Sequence, residues 1–440
     1  MPSAHHLYVG IDLGTSGCRA IAIDEQHTIV GETSVILPAP QRTDTHVEQD
    51  PTLWWNAVCD CLNQLTAIIN PQQVATIAVD GTSGTLLLTD EHGAPLGPAL
   101  MYNDARATTQ AMAIARIAPV NTAAQGSSSA LAKLLWLTEN GITATAQHAC
   151  HQADWIAATL SGHFPTKAII SDYNNALKLG FDAQQKIWPD WLNTLELPVG
   201  LLPKVVTPGT VIGTLSKKMA KQFTLPESTR IVAGTTDSTA SFLATGASNI
   251  GEAVTALGST LVVKVISEHP VFAPEYGVYS QPLISNGQIR WLVGGASNSG
   301  GSVLKQYFTL KQLTEMTPQL QPDTPTGLDY YPLPARGERF PFNDSQLAAR
   351  LEPRPADDVV FFQGMLEGIA HIEAKAYRLL TKLGAPYPLS VRTTGGGAQN
   401  TAWTTLRKNL LNTDIQPAQH TEAAFGAALL AKINRKKSPL

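Results

Sequence analysis

An acidic residue, a tight turn and two hydroxyl side chains follow one another near the start of the chain. The segment reads Asp12-Leu13-Gly14-Thr15-Ser16-Gly17. Small residues in such a turn let backbone N–H groups approach a polyphosphate, and the hydroxyls of Thr15 and Ser16 can donate further hydrogen bonds. The carboxylate of Asp12 can hold magnesium, usually through water. The spacing is typical of a phosphate and magnesium site, and an ordinary hairpin with a polar turn is the alternative.

A second turn of this kind occurs in the other half of the chain. It reads Gly258-Ser259-Thr260 and lies between apolar stretches at residues 253–257 and 261–266. Two such turns can hold one phosphate chain from both sides. The chain has no Gly-Lys dipeptide, which excludes a Walker-type phosphate loop. The glycine-rich segment at residues 294–301 lacks the acidic strand end of a dinucleotide site, so we interpret it as a packing turn.

Asp237 is the strongest candidate for a catalytic base. It lies in the sequence GTTDS at residues 234–238, between an apolar strand and an apolar helix. A carboxylate in that position can accept the proton of a substrate hydroxyl as the hydroxyl attacks phosphorus. Aspartate is also a common helix N-cap, so a purely structural cap is the alternative interpretation.

Two further segments carry groups suited to a polyhydroxylated ligand. Residues 80–84 read DGTSG, repeating the Gly-Thr-Ser-Gly of the first turn, and residues 103–106 read NDAR. Together they offer hydroxyl, amide, carboxylate and guanidinium groups. A surface ion pair between Asp104 and Arg106 is the alternative for the second segment.

The elements that must position these residues are short apolar strands and amphipathic helices. The patterns predict strands at residues 7–13, 18–24, 74–79, 86–88, 231–233, 253–257, 261–266 and 389–394. They predict helices beginning at Pro51 after an Asp50 cap and at residues 129–137, 217–223, 239–245, 359–383, 400–411 and 422–434. Because the strand, turn and strand device occurs near both residue 14 and residue 259, we expect a duplicated architecture with a boundary near Ser228.

The composition is that of a globular protein with few charges. The 440 residues are 43% hydrophobic and 15% charged, against about 25% charged in typical domains. The formal net charge is −4, which excludes a general basic field for nucleic acid or anionic lipid. Four cysteines are too few for a disulfide scaffold, and no apolar stretch is long enough to span a membrane. We therefore expect a cytoplasmic protein without nucleic-acid or membrane partners.

Taken together and in this order, the motifs resemble the FGGY carbohydrate kinases, in the superfamily that includes actin and hexokinase. The resemblance rests on GIDLGTSG (residues 10–17), DGTSG (80–84), YNDAR (102–106), GTTDS (234–238), LGST (257–260), GMLEGIA (364–370), GGGA (395–398) and AAFGAA (423–428). Within the family the chain is similar to the short D-ribulose kinases, sometimes labelled xylulose-kinase-like. That similarity rests on ALKLG (176–180), TGLDYYPLP (326–334) and RGERFP (336–341).

The resemblance implies an α/β protein with two ribonuclease-H-like domains around a deep cleft. Residues 1–228, joined by the C-terminal helix at about 422–434, would bind the sugar, and residues 229–440 would bind ATP. The implied cofactors are ATP and Mg²⁺. The oligomeric state is left open by the sequence.

The resemblance also implies roles for individual residues. Asp237 would be the general base, and Asp12 and Asp237 would hold Mg²⁺ through water. The implied ATP-binding residues are Thr15, Ser16, Gly258, Ser259, Thr260, Gly396, Gly397 and Asn400. The implied sugar-binding residues are Ser83, Asp104, Asp237 and Ser238.

The expected activity is phosphorylation of a pentulose, D-ribulose to D-ribulose 5-phosphate. Xylulose kinases of the family carry a sugar-contacting Met-His-Gly segment, whereas this chain reads Gly84-Thr85-Leu86-Leu87 after Ser83. D-xylulose or another sugar or polyol remains the alternative substrate. A non-catalytic ATP- or sugar-binding regulator and a phosphatase of the same superfamily are the alternatives from other classes.

Overall fold

The computed structural model of the protein describes residues 6–165 and 168–433, which form two compact units. The first unit contains the chain up to Ala244 and the segment from Glu422 onward, and the second contains Thr245–Thr421. The division therefore follows Ala244 instead of Ser228, because the strand Arg230–Thr236 pairs with the sheet of the first unit. Within the described residues, no helix is long and apolar enough to cross a membrane.

Both units contain strands and helices. The strands are β1 (Leu7–Leu13), β2 (Gly17–Ile23), β3 (Ile29–Ile36), β4 (Gln41–Thr43), β5 (His46–Gln49), β6 (Val74–Gly81), β7 (Leu86–Thr89), β8 (Ala99–Leu100), β9 (His148–His151), β10 (Ile170–Asp172), β11 (Lys204–Val206), β12 (Val211–Thr214), β13 (Arg230–Thr236), β14 (Glu252–Leu257), β15 (Leu261–Ser267), β16 (Tyr279–Ser285), β17 (Gln288–Ser297), β18 (Ser390–Thr394) and β19 (Asp414–Pro417). The helices are α1 (Pro51–Ile68), α2 (Thr108–Ile117), α3 (Ala130–Glu139), α4 (Gln152–Ser161), α5 (Tyr173–Ala176), α6 (Lys217–Phe223), α7 (Asp237–Ala244), α8 (Gly301–Tyr307), α9 (Leu310–Met316), α10 (Asp358–Lys382), α11 (Thr401–Leu411) and α12 (Ala423–Ile433).

The main sheet of the first unit has the strand order β12-β13-β6-β1-β2-β3. β1, β6 and β13 run parallel, whereas β2 and β3 continue from β1 as an antiparallel meander. In the parallel register Asp12 lies opposite Asp80, and Thr236 lies opposite Gly81. The carboxyl ends of three neighbouring strands therefore meet at one edge of the sheet.

The pleat of β1 divides its side chains between two helical layers. Leu7, Val9, Ile11 and Leu13 pack into one core together with α1, α4 and α6. Tyr8 packs on the opposite face with residues of α12. The C-terminal helix thereby completes the core of the first unit. Asn434, the last residue of the predicted helix, lies outside the described residues.

Two smaller sheets extend the first unit. β4, β5, β8, β7 and β9 form one of them, in that order, and β10 pairs in parallel with β11. Buried leucines and alanines of α3 pack against β7, and α2 packs on α3. Apart from β4 and β5, which precede β6, these elements lie between β6 and β13 in sequence and form an insertion that carries residues 103–106 and 176–180.

The second unit repeats the arrangement of the first. Its sheet has the order β16-β17-β15-β14-β18-β19, in which β14, β18 and β19 run parallel and β15, β17 and β16 form an antiparallel meander. The predicted α/β fold with two ribonuclease-H-like domains is confirmed. The expectation for residues 294–301 is only partly met, because residues 294–297 form the end of β17 and the turn follows them.

A fully buried ion pair joins four elements of the second unit. Arg407 of α11 donates to both carboxylate oxygens of Glu373 of α10, at 2.6 and 2.8 Å. The same carboxylate accepts from Thr255 of β14, and Arg407 also donates to Thr393 of β18. Because a buried charge that loses its partner is costly, this network holds the two strands in place just before their terminal turns.

Candidate active site

Three carboxylates lie near the carboxyl edge of the first sheet. Asp12 is near the end of β1, Asp80 is near the end of β6, and Asp237 directly follows β13. Asp80 is fully buried, whereas Asp12 and Asp237 are partly exposed. Parallel pairing produces this convergence, because the three residues are far apart in the sequence and share only their place at a strand end.

Asp80 is the most perturbed of the three. Burial raises the pKa of its carboxyl well above the ordinary value, and the charges of Asp12 and Asp237 raise it further. Neither of its oxygens accepts a hydrogen bond from the N–H and O–H groups of the described residues. Asp12 lies opposite Asp80 in the strand register, and burial raises the pKa of its carboxyl as well. Two interacting carboxyls with raised pKa values at one strand edge are typical of functional sites.

Asp80→Asn should change the pH dependence of stability. The folded state keeps the proton of Asp80 above the pH at which the unfolded chain loses it. Wild-type stability therefore falls as pH rises between these two pKa values, by about 1.4 kcal/mol per pH unit. Asparagine does not titrate, so the variant lacks this loss of stability. The melting temperature of Asp80→Asn, relative to that of the wild type, should therefore rise between pH 4 and pH 8. Thermal melts of the ligand-free proteins measure this difference, with the exposed Asp60→Asn as control. A constant difference across this range would show that Asp80 ionises normally.

The first turn is formed by its own backbone. The N–H of Gly14 donates to the carbonyl of Gly17, and the carbonyl of Ser16 accepts from Leu37 at the end of β3. Thr15 is partly exposed and Ser16 is exposed, so both hydroxyls are accessible to a ligand. The turn thus connects β1 to β2 as predicted and presents the side chains that the sequence singled out.

Two lysine side chains donate hydrogen bonds to backbone carbonyls of the Ser83 loop, residues 80–84. Lys178 Nζ donates to the carbonyl of Ser83 at 3.0 Å, and Lys133 Nζ donates to the carbonyl of Gly84 at 2.9 Å. Burial lowers the pKa of Lys133 to about 7 and lowers that of Lys178, whereas the charge of Asp237 acts in the opposite direction on Lys178. The loop is therefore ordered by hydrogen bonds from the two lysine side chains, and the Ser83 side chain stays partly exposed.

The structure gives Asp104 a part other than the predicted sugar contact. Its side chain is fully buried. One carboxylate oxygen accepts from the N–H of Val47 at 2.6 Å, and Arg106 donates to both oxygens. Arg106 also pairs with Glu48 and lies over the ring of Trp136. With both oxygens bound inside the protein, Asp104 orients Arg106 and strand β5 instead of contacting a ligand directly.

Asp237 is the first residue inside α7, so the capping position belongs to Thr236, the residue before it. Its Oδ1 accepts the N–H of Ser238 at 2.6 Å. The carboxylate is partly exposed and Ser238 is exposed. A carboxylate that keeps access to solvent at the edge of the sheet can reach a hydroxyl, which a buried cap cannot.

The residues at this edge fit magnesium held through water. Hard carboxylate oxygens suit Mg²⁺, and Asp12 and Asp237 present such oxygens, partly exposed, beside the buried Asp80, whose oxygens accept from no N–H or O–H group of the described residues. In the part of the chain that the structure describes, no three His, Cys, Asp or Glu side chains converge closely enough to bind a metal directly. The donor set therefore matches an ion that keeps most of its water shell.

A cavity of about 570 Å³ opens at the corresponding edge of the second sheet. The turn after β14 contributes Gly258 and Ser259, and the segment after β18 contributes Gly396, Gly397 and Asn400. The other walls include Leu304, Leu310, Leu313, Phe362, Leu366 and Trp403. This volume lies within the usual range of about 300–1,000 Å³ for small-molecule sites. Thr260 is not among the lining residues, whereas the other five predicted nucleotide residues of this unit are.

Glycines let the backbone segments of this cavity approach one another. A Cβ on Gly395, whose φ is +81°, would lie 2.6 Å from the carbonyl oxygen of Leu257. A Cβ on Gly397 would lie 2.6 Å from the ring of Trp403. Asn400 caps α11 by accepting the N–H of Trp403. The GGGA motif thus packs the end of β18 against the turn after β14.

Several residues at these sites were not assigned any part from the sequence. Lys178 and Glu338 belong to motifs that served only to indicate the subgroup, and Asp80 was noted only within its loop. Their importance comes from partners that are distant in the sequence. The signal that could have indicated Lys178, Glu338 and Asp80 is a charged residue inside a motif. No such signal exists for Lys133, which lies outside the motifs in the largely apolar helix α3.

Comparison with known proteins agrees with this geometry. Residues 7–244 match the N-terminal domain of the FGGY family of carbohydrate kinases, and residues 253–434 match its C-terminal domain. The chain belongs to this family. As an FGGY carbohydrate kinase it is an ATP-dependent sugar kinase, and the recognition made from its motifs is confirmed.

Individual relatives show how far the similarity extends. The FGGY chain is 25% identical to the xylulose kinase of Escherichia coli strain K12 over 98% of its own length and 91% of that protein. A structure of a "xyloylose kinase" from Brucella ovis has a TM-score of 0.85 and 25% identity, covering 97% of this chain and 90% of the other. Plasmodium falciparum glycerol kinase with ADP gives a TM-score of 0.85 at 16% identity, covering 98% and 89%. The fold is therefore shared by kinases of different acceptors.

Proposed function

We propose that this FGGY kinase transfers the γ-phosphoryl group of ATP to the terminal hydroxyl of a pentulose, with D-ribulose as the substrate. The observation that carries the proposal is the partly exposed Asp237 at the same sheet edge as Asp12 and the Ser83 loop. Phosphoryl transfer needs positioning and charge neutralisation more than covalent help, and these residues supply both.

In this proposal the first unit binds and activates the sugar. Asp237 accepts the proton of the attacking hydroxyl, and Ser83 and Ser238 donate or accept hydrogen bonds with the other hydroxyls. The segment Gly84-Thr85-Leu86-Leu87 stands where xylulose kinases carry Met-His-Gly, which favours D-ribulose over D-xylulose. Asp104 acts indirectly, through Arg106.

The second unit binds the nucleotide in this proposal. The apolar walls and the Gly396–Gly397 segment accommodate adenosine, and the turn at Gly258 and Ser259 offers the backbone N–H and the hydroxyl of Ser259 to the β- and γ-phosphates. Thr15 and Ser16 of the first unit face the γ-phosphate. Mg²⁺, held by Asp12 and Asp237 through water, neutralises charge on the phosphates. We place this enzyme in the cytoplasm, in keeping with four free cysteines and ATP as substrate.

D-xylulose is the second candidate, since the curated relative from E. coli is a xylulose kinase that matches over nearly the whole chain. A coupled ADP-release assay over D-ribulose, D-xylulose, L-ribulose, L-xylulose, glycerol and gluconate distinguishes the candidates. We expect the highest kcat/KM with D-ribulose. A higher value with D-xylulose would make the protein a xylulose kinase, ADP release without sugar would favour a phosphatase, and no release at all would favour a regulator.

A further inference from the structure

One buried carboxylate in the second unit has no part in the proposed chemistry. Glu338 lies at the centre of the RGERFP motif and is only 3% exposed. Its Oε1 accepts the backbone N–H groups of Asn298 and Arg339, at 2.7 and 2.9 Å. Its Oε2 accepts the hydroxyls of Ser297 and Tyr331, at 2.6 and 2.9 Å. The neighbouring Arg339 turns its Nε to the carbonyl of Ala296 instead.

The Glu338 carboxylate and its four neutral donors form one rigid hydrogen-bond network. We call this network, made by Glu338 with Ser297, Asn298, Tyr331 and Arg339, the joint. Hydrogen bonds to a charged acceptor are stronger than neutral ones, and leaving four donors unpaired in the interior would be costly. Burial and the Glu338 charge both raise the pKa of Tyr331, so its phenol stays protonated as a donor. The joint fixes the last residue of β17, Ser297, together with Asn298. A further bond from Asn298 to the carbonyl of Gly337 closes it.

The segment that follows this joint holds the phosphate turn. The N–H of Gly301 donates to the carbonyl of Gly258 at 2.8 Å, and Ser302 donates to the carbonyl of Ser259 through its N–H and its hydroxyl. The N–H of Leu261, just beyond the turn, donates to the carbonyl of Ser299 at 2.7 Å. Both carbonyls of the turn are thus bound by residues directly after the joint.

The contact between the two segments leaves no space for adjustment. Gly300 has a φ of +146°, and a Cβ there would lie 2.7 Å from the carbonyl oxygen of Ser259. A Cβ on Gly301 would lie 2.8 Å from the carbonyl oxygen of Gly258. A shift of residues 297–301 must therefore shift the turn, because backbone atoms are already in contact.

We propose that Glu338 is a positioning residue for nucleotide binding, which fixes the Gly258–Ser259 turn through Ser297 and the segment 298–302. The inference rests on the proposed nucleotide role of that turn. It explains two motifs together, since RGERFP supplies the carboxylate and the glycine-rich segment at 294–301 supplies the link. Glu338 itself touches neither ATP nor the sugar in this arrangement.

The test compares Glu338→Ala and Glu338→Gln with the full-length wild type. We expect Glu338→Ala to raise the KM for ATP and the Kd for ADP, measured by calorimetry, by about tenfold or more, while the KM for the sugar stays within about twofold. Glu338→Gln should recover most of the affinity. Its amide oxygen can accept the two backbone N–H groups, and its amide nitrogen can donate to the hydroxyls of Ser297 and Tyr331.

Glu252 provides the matched control. It lies at the opposite end of β14 from the turn, and its carboxylate also holds a loop, accepting the N–H groups of Ser248 and Asn249. Glu252→Ala should lower the melting temperature without changing ADP affinity. If Glu338→Ala does not fold, Ser297→Ala removes one bond of the joint and should still weaken ADP binding measurably.

The outcomes separate this inference from the proposed function. Folded Glu338→Ala with wild-type ADP affinity overturns it, and so does an equal loss of affinity in Glu252→Ala. The ADP titration needs no sugar, so a wild type that binds ADP but phosphorylates no pentulose refutes only the proposed substrate. A wild type that binds no ADP overturns the positioning role together with the nucleotide site.

Discussion

Asp237→Asn is expected to lower kcat by about 10³-fold while the protein stays folded. General base catalysis contributes about 10²–10⁴-fold, and asparagine has no basic oxygen that can accept the hydroxyl proton. Asparagine nevertheless has the shape of aspartate, and its side-chain oxygen can still accept the N–H of Ser238, so α7 should begin as before. The melting temperature should therefore change little. Steady-state rates with the best sugar and thermal melts of both proteins measure the two quantities.

A cap at the start of another helix provides the control for this variant. Asp50 caps α1 by accepting the N–H of Thr52 at 2.9 Å and lies in the same unit. Asp50→Asn should keep both rate and stability. If Asp237→Asn retained the wild-type rate, Asp237 would have only a structural part, and the base would have to be sought elsewhere at this sheet edge.

Gly426→Ala is expected to have the largest effect on stability. A Cβ at this position of α12 would lie 1.8 Å from the carbonyl oxygen of Ala240 in α7. Neither backbone can yield without separating the two helices, and α12 also covers Gly10 of β1, where a Cβ would lie 2.0 Å from the carbonyl oxygen of Ala424. We expect a loss of more than about 4 kcal/mol, seen as a fall of about 10 °C or more in melting temperature or as loss of folded protein.

The control for this prediction is a glycine with open space around it. A Cβ on Gly200 would meet nothing within 4 Å, and its φ is not positive. Gly200→Ala should therefore melt within about a degree of the wild type. A Gly426→Ala protein with the same melting temperature would contradict the close packing of α12 on α7.

Local sequence was sufficient for about half of the strands and helices in the described residues. The hairpin β1–β2, the capped helix α1 and the helix α6 follow from apolar periodicity and from turn and cap residues that lie within a few positions of one another. The two turns near residues 14 and 259 also predicted the duplicated architecture. Phosphate-binding turns can be recognised in this way because their chemistry lies in consecutive residues.

The domain boundary and the partners of the charged residues depended on pairing between distant segments. The boundary near Ser228 was placed at a change of local pattern, but β13 belongs to the first unit because its edge pairs with β6. Asp104 was predicted to contact the sugar, with a surface ion pair to Arg106 as the alternative, and the fold buries it between Val47 and Arg106. No local pattern contains either pairing.

By itself, the sequence determined the fold class, the kinase family, the two turns and the candidate base Asp237. Short runs of consecutive residues are enough to indicate each of them. Only the tertiary structure decided which carboxyls meet, which lysines hold the Ser83 loop and what Glu338 fixes. The parallel register brings Asp12 beside Asp80, and buried charges must find partners wherever the chain brings a donor or acceptor close. Those contacts depend on the packing of whole elements, and for that reason they could not be predicted from the order of residues.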